Sequence, residues 1–219
     1  MRRKLLVTPA ALLAFAAFIV LPAVASASPA LTSPLGTLAP VGTKFKGTTI
    51  GATKMTLSNG ATLECTAGVN SGVLLKNTGT FIEGEIQTLE VSGTAAGGDC
   101  TSSMGSFKVT TTPGNGLPYC MKTAKTADQL EIRGGSCSSA ARPITYLVDF
   151  TSLGVACDYE RSTPILATFT TAPTDATATE NEVLFKLAAG SSFVCPAEAK
   201  LDASMTLENS STGAAAYVS

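Results

Sequence analysis

The chain has 219 residues, with 15 basic and 16 acidic side chains, no histidine and no tryptophan. A net charge of −1 excludes the strongly basic character that nucleic-acid binding requires, so no nucleic-acid partner is expected. The absence of histidine excludes hydrolases that rely on an imidazole base, and it argues against the usual zinc sites.

The first 27 residues have the pattern of a secretory signal peptide. A positive start at residues 2–4 precedes an apolar run over residues 5–21, and Ala25-Ser26-Ala27 provides a small-residue cleavage site. An uncleaved membrane anchor is the alternative because the apolar run approaches spanning length, but Pro22 and the cleavage site favour removal. Removal leaves 12 basic against 16 acidic residues, a net charge of −4. We expect a secreted or cell-envelope-associated protein without a stable membrane anchor.

The rest of the chain is patterned as strands. Residues 28–43 are rich in Pro, Ser, Thr and Ala, which predicts a flexible lead-in. Residues 44–219 alternate short apolar runs with turn residues and show no sustained helical periodicity. This pattern predicts a single all-β domain, an antiparallel β-sandwich or Greek-key barrel, with a division near residues 113–118 as the alternative.

Two local features of the first strands are specific. Asn59-Gly60 lies between the apolar runs Lys54–Leu57 and Ala61–Cys65 and predicts a hairpin, because this dipeptide suits the positive φ angles of a tight turn. Along Phe81–Val91 the apolar phase changes near Gln87-Thr88. Since side chains alternate with a period of two, this change predicts a β-bulge or a strand break there.

The last predicted strand has the cleanest alternation in the chain. Apolar residues occupy every second position of Ala199–Leu207, so Leu201 and Met205 are expected in the core. Further strands are expected at Phe107–Val109, Ile144–Phe150, Val155–Tyr159, Ile165–Phe169 and Val183–Leu187.

Six cysteines follow the predicted signal peptide, which indicates an oxidising compartment and three structural disulfides. A metal site is disfavoured because no CxxC motif occurs and histidine is absent. Sequence leaves the other connectivities open, and nearest-neighbour pairing is our prediction. The pairs are Cys65–Cys100, Cys120–Cys137 and Cys157–Cys195.

Leu117–Cys137 contains the hairpin on which the second half of the chain is centred. Leu130 and Ile132 share the apolar face of its second strand, and a polar turn at Thr126-Ala127-Asp128 precedes that strand. A disulfide between Cys120 and Cys137 would join the two strands at the open end of this hairpin. Within it, Tyr119–Lys122 resembles in outline the disulfide-held loops of bacterial protease inhibitors, although a strand beside a structural disulfide is the simpler interpretation.

Carboxylates on a later hairpin are candidate site residues. The tightest register, which closes at Leu153-Gly154, sets Asp149 directly opposite Asp158, with Glu160 as a third oxygen donor. Like charges in this arrangement need compensation, which calcium, a basic side chain from a neighbouring strand or hydration would supply. A longer turn would pair Asp158 with Leu147 and separate the two aspartates. No other cofactor is expected.

Five short segments carry a resemblance to a known group of proteins. They are Leu117-Pro118-Tyr119-Cys120, Arg133-Gly134-Gly135-Ser136-Cys137, Ala141-Arg142-Pro143-Ile144, Phe169-Thr170-Thr171 and Tyr217-Val218-Ser219. They resemble uncharacterised secreted, disulfide-containing β-rich proteins of high-GC Gram-positive bacteria, mainly over the second half of the chain. The resemblance implies export and the cysteine framework, and it implies no particular activity.

No nucleophile elbow, phosphate-binding loop or dinucleotide fingerprint occurs. The sequence therefore favours an exported, non-catalytic binding or structural protein, with a cell-envelope component or another protein as its partner. A secreted proteinase inhibitor is one alternative, which an exposed, rigid Tyr119–Lys122 loop would favour. A carboxylate-dependent hydrolase is the other, because glycoside hydrolysis needs only two carboxyl groups in a cleft.

Overall fold

The computed structural model describes residues 30–110, 116–124, 129–171 and 176–218. These residues form sixteen strands and no helix, so within them there is no helix that is long and apolar enough to cross a membrane. The predicted all-β class is confirmed. The strands are β1 (Leu31–Thr32), β2 (Lys44–Thr49), β3 (Thr53–Leu57), β4 (Thr62–Cys65), β5 (Ala67–Asn77), β6 (Ile82–Ser92), β7 (Cys100–Ser102), β8 (Gly105–Thr110), β9 (Tyr119–Thr123), β10 (Gln129–Gly134), β11 (Ile144–Phe150), β12 (Val155–Arg161), β13 (Ile165–Thr171), β14 (Ala176–Leu187), β15 (Glu198–Asn209) and β16 (Tyr217–Val218).

Fourteen of these strands close into an antiparallel barrel, in the order β10-β13-β14-β12-β11-β8-β7-β4-β3-β15-β2-β5-β6-β9. A further pairing joins β14 to β15 across this ring. The remaining strands, β1 and β16, form a separate two-stranded sheet. Of the two predicted architectures, the structure therefore has the closed barrel.

The long strands β14 and β15 divide the ring into two circuits. The first part of β14 pairs with β13 and its last residues pair with β12. In the same way, β15 pairs with β3 through its first half and with β2 through its second half. Each circuit therefore closes through the β14–β15 ladder. One circuit adds β2, β5, β6, β9, β10 and β13, and the other adds β3, β4, β7, β8, β11 and β12.

The core lies inside these circuits and is built from the alternating inward positions of the strands. On β15, for example, Ala199, Leu201 and Leu207 are buried. Met205 is partly buried and packs against the core. The inward phase predicted for the last strand is thus confirmed. The bulkiest fully buried side chains are Tyr119, Tyr159, Phe45, Phe107, Phe150 and Phe185.

Both specific predictions for the first strands are confirmed. The β3–β4 hairpin turns at Gly60, whose φ is 86°, and the Leu57 N–H donates to the Ala61 carbonyl at 2.8 Å. Between β5 and β6, Ser71 pairs with Thr88 and Gly72 pairs with Ile86. Gln87 is the extra residue of this bulge, which explains the change of apolar phase along β6.

The three disulfides join neighbouring cysteines, as predicted. Cys65–Cys100, Cys120–Cys137 and Cys157–Cys195 have Cα–Cα distances of 4.7, 4.7 and 5.6 Å. Cys120 lies on β9 opposite Arg133 of β10, and Cys137 follows the end of β10, so this disulfide ties the open end of the hairpin. The turn predicted at 126–128 lies outside the described residues. Three disulfides fit an oxidising environment.

The region expected as a flexible lead-in is held in place where the structure describes it. Leu31 pairs with Val218, and the Asn77 amide donates to the carbonyls of Leu31 and Ala39, both at 2.8 Å. Leu31 and Ala39 are fully buried. The composition of this segment predicts flexibility, because composition does not reveal hydrogen bonds from residues far away in the chain. These bonds hold the segment in place. The predicted signal peptide lies outside the described residues.

Candidate functional site

A cavity of about 90 Å³ lies inside the barrel. Both circuits contribute to its wall, which is mostly apolar. A second cavity of about 40 Å³ adjoins it, and Ile86, Ile132, Ala203, Met205, Asn70 and Glu180 line both. The buried residues of its apolar wall include Met55, Leu63, Ile86, Phe107, Ile132, Ile144, Ile165 and Leu201.

Five of the residues that line the main cavity lie at or near strand ends and are partly exposed. Thr49 ends β2 and Thr53 begins β3, while Leu89, Val91 and Val109 lie near the ends of β6 and β8. The β2–β5 and β5–β6 registers place Thr48 opposite Val69 and Val91 opposite Gly68, at the same level of the barrel. We call these five residues, Thr49, Thr53, Leu89, Val91 and Val109, the rim.

Glu180 is the acidic residue of this cavity, and it directly precedes a bulge in β14. Glu180 pairs with Ala203 and Val183 pairs with Leu201, so three steps along β14 match two along β15. The bulge contains Glu182, whose φ of 50° lies in the left-handed region. The Asp202 carboxylate holds this conformation by accepting a hydrogen bond from the Glu182 N–H at 2.6 Å. The bulge shifts the phase of the residues that follow it, whereas Glu180 keeps the inward phase of Ala178.

The environment of Glu180 disfavours its charged form. Glu180 is partly buried and lines both cavities, whose other lining residues are mostly apolar. Burial raises the pKa of the Glu180 carboxyl from its ordinary value of 4.5 to about 7. Among the described residues, no cation or hydrogen-bond donor is paired with this carboxyl. Glu180 therefore brings an unpartnered acid into an apolar space.

Two tyrosines line the same cavity as this acid. Tyr146 also lines the cavity, and its ring lies 5.1 Å from that of Phe185 and 6.5 Å from that of Tyr119. Burial, with smaller contributions from the charges of Tyr119 and Glu180, raises the pKa of Tyr146 well above its ordinary value. The Tyr119 hydroxyl donates to the Thr145 carbonyl at 3.1 Å, and burial raises its pKa as well. Both phenols therefore stay neutral at physiological pH.

Asn70 is the remaining buried polar group of the wall. Its Oδ1 accepts from the Gly47 N–H at 3.0 Å, and its Nδ2 donates to the Met205 sulfur at 2.9 Å. A thioether is a weak acceptor, so the Asn70 amide keeps donor capacity toward the cavity.

The predicted opposition of Asp149 and Asp158 is wrong. Asp149 pairs with Ala156, and Asp158 pairs with Leu147, which is the longer-turn register. The turn is longer because the hairpin closes at Phe150, whose carbonyl accepts hydrogen bonds from two turn N–H groups at 2.9 Å. The two aspartates therefore lie diagonally on the outer face.

The same register supplies basic neighbours for the candidate acids. Lys108 of β8 lies directly opposite Asp149, and Lys186 of β14 lies directly opposite Glu160. Cross-strand neighbours of opposite charge are favourable. The ammonium group of Lys108 lies 3.8 Å from the carboxylate of Asp99. Within the described ranges, no three Asp, Glu, Cys or His side chains converge as a metal ion would require.

The Tyr119–Lys122 segment does not form an exposed loop. It lies within β9, which is paired on both sides, with β6 and with β10. Tyr119, Cys120 and Met121 are 2, 0 and 4% exposed. A protease could not reach them, and the inhibitor hypothesis loses the segment on which it depended.

Sequence reasoning missed Glu180. Its neighbours Asn181 and Glu182 are polar and exposed, so the three residues together have the composition of a surface turn. The available signal was the alternation of Thr177 and Thr179 with Ala178 and Glu180, which puts Glu180 in the same phase as a buried alanine.

The fold and the cavity define a disulfide-linked antiparallel β-barrel with an acid in its apolar interior. Neither a family model nor a curated protein matches this chain. Among solved structures, the chain is similar to DynF from the dynemicin biosynthesis pathway of Micromonospora chersina, with 12% identity, a TM-score of 0.47 and coverage of 84% of each chain.

Proposed function

We propose that this protein is an exported, non-catalytic binding protein that holds a small, largely apolar molecule inside its barrel. The observation that carries the proposal is the interior cavity of about 90 Å³, with its apolar wall and few polar groups. Small-molecule sites usually have this character. An apolar cavity of this size costs about 2 kcal/mol of stability when empty, which a ligand that fills it would recover.

Three further features support the proposal. The disulfides and the signal-like residues 1–27 favour export, as does the resemblance to secreted proteins. A non-catalytic role is favoured because Glu180 is the single carboxylate among the described residues that line the cavity. Glycoside hydrolysis would require a second carboxylate near it.

The proposal is tested with toluene, a one-ring apolar probe, by calorimetry and thermal melting. We expect toluene to bind the wild type and raise its melting temperature, because ligands that bind only the folded state stabilise it. Ala203 lines both cavities, so Ala203→Phe should fill the space and abolish the shift. The matched control is Ala156→Phe, because Ala156 is exposed on β12. A wild type that does not respond to saturating toluene would contradict the proposal, as would equal binding by Ala203→Phe.

A further inference from the structure

We infer that the cavity selects a small apolar amine, whose ammonium group pairs with the Glu180 carboxylate inside the barrel. This inference rests on the proposed function and adds the chemical class of the ligand. It follows from the charges, the aromatic rings and the volume of the site.

The charges of the site are of one sign. Among the described residues that line either cavity there is no lysine and no arginine, and Glu180 is the one residue that can carry a formal charge at neutral pH. Tyr119 and Tyr146 are the other titratable groups among the described residues that line the cavities, and both remain neutral. The positive charge that pairs with this carboxylate would therefore come from the ligand.

An ammonium group fits this requirement better than other polar groups. Hydrogen bonds between an ammonium and a carboxylate are roughly twice as strong as those between neutral groups, and the apolar wall screens them little. A ligand carboxylate would instead place two acids in one apolar space, which is unfavourable. A neutral alcohol would leave the Glu180 charge without a counter-charge.

Aromatic rings add to the preference for a cation. Phe107, Tyr119 and Tyr146 all line the main cavity. The faces of such rings attract a cation that has left water, and the attraction strengthens with desolvation. The site thus combines an anion with π-systems.

The volume limits the ligand to a small molecule. The cavities of about 90 and 40 Å³ share six lining residues. An apolar cavity of about 150 Å³ in another protein accommodates benzene. The two cavities together are slightly smaller than that one, so the space available admits at most a single ring with a short aminoalkyl group.

The test compares four probes of nearly equal shape: benzylamine, benzyl alcohol, benzoate and toluene. Affinities are measured by calorimetry at pH 8 for the wild type, Glu180→Gln and the control Glu90→Gln, whose residue is exposed on β6. We expect the wild type and the control to bind benzylamine at least tenfold more tightly than benzyl alcohol. Glu180→Gln should lose this preference and keep its affinity for toluene.

A second measurement uses the wild type alone and does not depend on the folding of a variant. Between pH 6 and pH 8 benzylamine stays protonated while Glu180 loses its proton, so benzylamine affinity should rise several-fold. Toluene affinity should not rise. If toluene binds but benzylamine shows neither the preference over benzyl alcohol nor the rise with pH, the inference is overturned and the proposed function stands. If none of the four probes binds, both are overturned.

Discussion

Glu180 and Val183 both face the interior of the barrel, although they are three positions apart along β14. In a regular strand, residues an odd number of positions apart lie on opposite faces. The bulge between them takes up one residue, so both the acid and the core residue Val183 point inward. The β14–β15 ladder, which both circuits share, therefore also positions the charged group of the cavity.

The buried acid makes stability depend on pH. The pKa of Glu180 is about 7 in the folded protein and near 4.5 in the unfolded chain, so the folded state binds more protons between these values. The contribution of Glu180 to the free energy of unfolding is therefore fully present below about pH 4.5. It is lost as the pH rises to about 7. The loss amounts to about 3 kcal/mol.

Urea unfolding at pH 5 and pH 8 measures this dependence. Glu180→Gln should be less sensitive to this change of pH than the wild type, by about 2.5 kcal/mol, because glutamine does not titrate. Glu90→Gln, at an exposed position, serves as the control and should follow the wild type. Equal pH dependence in wild type and Glu180→Gln would contradict the buried, unpartnered position of this acid.

The wall of the cavity is also part of the core. Leu201 is 6% exposed and lines the main cavity, so Leu201→Ala should lower the free energy of unfolding by about 2 to 5 kcal/mol. Leu166→Ala provides the control, since Leu166 is 50% exposed on β13, and should change stability by no more than about 0.5 kcal/mol. Chemical denaturation measures both. Similar losses in the two variants would contradict an inward Leu201.

The left-handed conformation at Glu182 predicts an unusual order of substitutions. Glu182→Gly should be neutral or slightly stabilising, because glycine adopts a positive φ without steric cost. Glu182→Val should be less stable than Glu182→Gly by about 1 kcal/mol or more, since a β-branched residue is strained there. Both changes remove the same exposed ion pair with Lys200, so their difference in unfolding free energy reports the backbone. A valine variant as stable as the glycine variant would indicate a different backbone at the bulge.

The disulfides should stabilise the fold in the order of the chain length that they enclose. Replacing Cys120 and Cys137 by alanine opens a link of sequence separation 17 and should cost about 3 kcal/mol. The same change at Cys157 and Cys195, with separation 38, should cost about 4 kcal/mol on the same chain-entropy model. Urea midpoints compare the two variants, and non-reducing peptide mapping checks the pairs. A clear reversal of the order would mean that local packing outweighs chain entropy.

Local patterns determined much of what the sequence could predict. The hairpin at Gly60 and the bulge at Gln87 were both visible, because turn residues and apolar phase are properties of adjacent residues. The three disulfides were predictable as nearest neighbours, since sequential strands commonly pair. The inward phase of β15 followed from its uninterrupted alternation.

Only the tertiary structure decided the features that depend on pairing between distant segments. Asp149 and Asp158 could be opposed or diagonal, because a change in turn length alters the register without altering the faces. The buried position of Tyr119, Cys120 and Met121 depends on β6, which lies far away in the chain. Leu31 likewise packs through its contacts with Asn77 and Val218.

The position of Glu180 shows the physical reason for this division. Asn181 and Glu182, which follow it, are polar, and their composition does not distinguish an exposed turn from a bulge. The bulge exists because β15 supplies one residue fewer between Ala203 and Leu201, and because Asp202 binds the Glu182 N–H. The cavity that Glu180 enters exists only once both circuits have closed around it. Alternation is a local property of a chain, whereas register, closure and interior volume are properties of the assembled barrel.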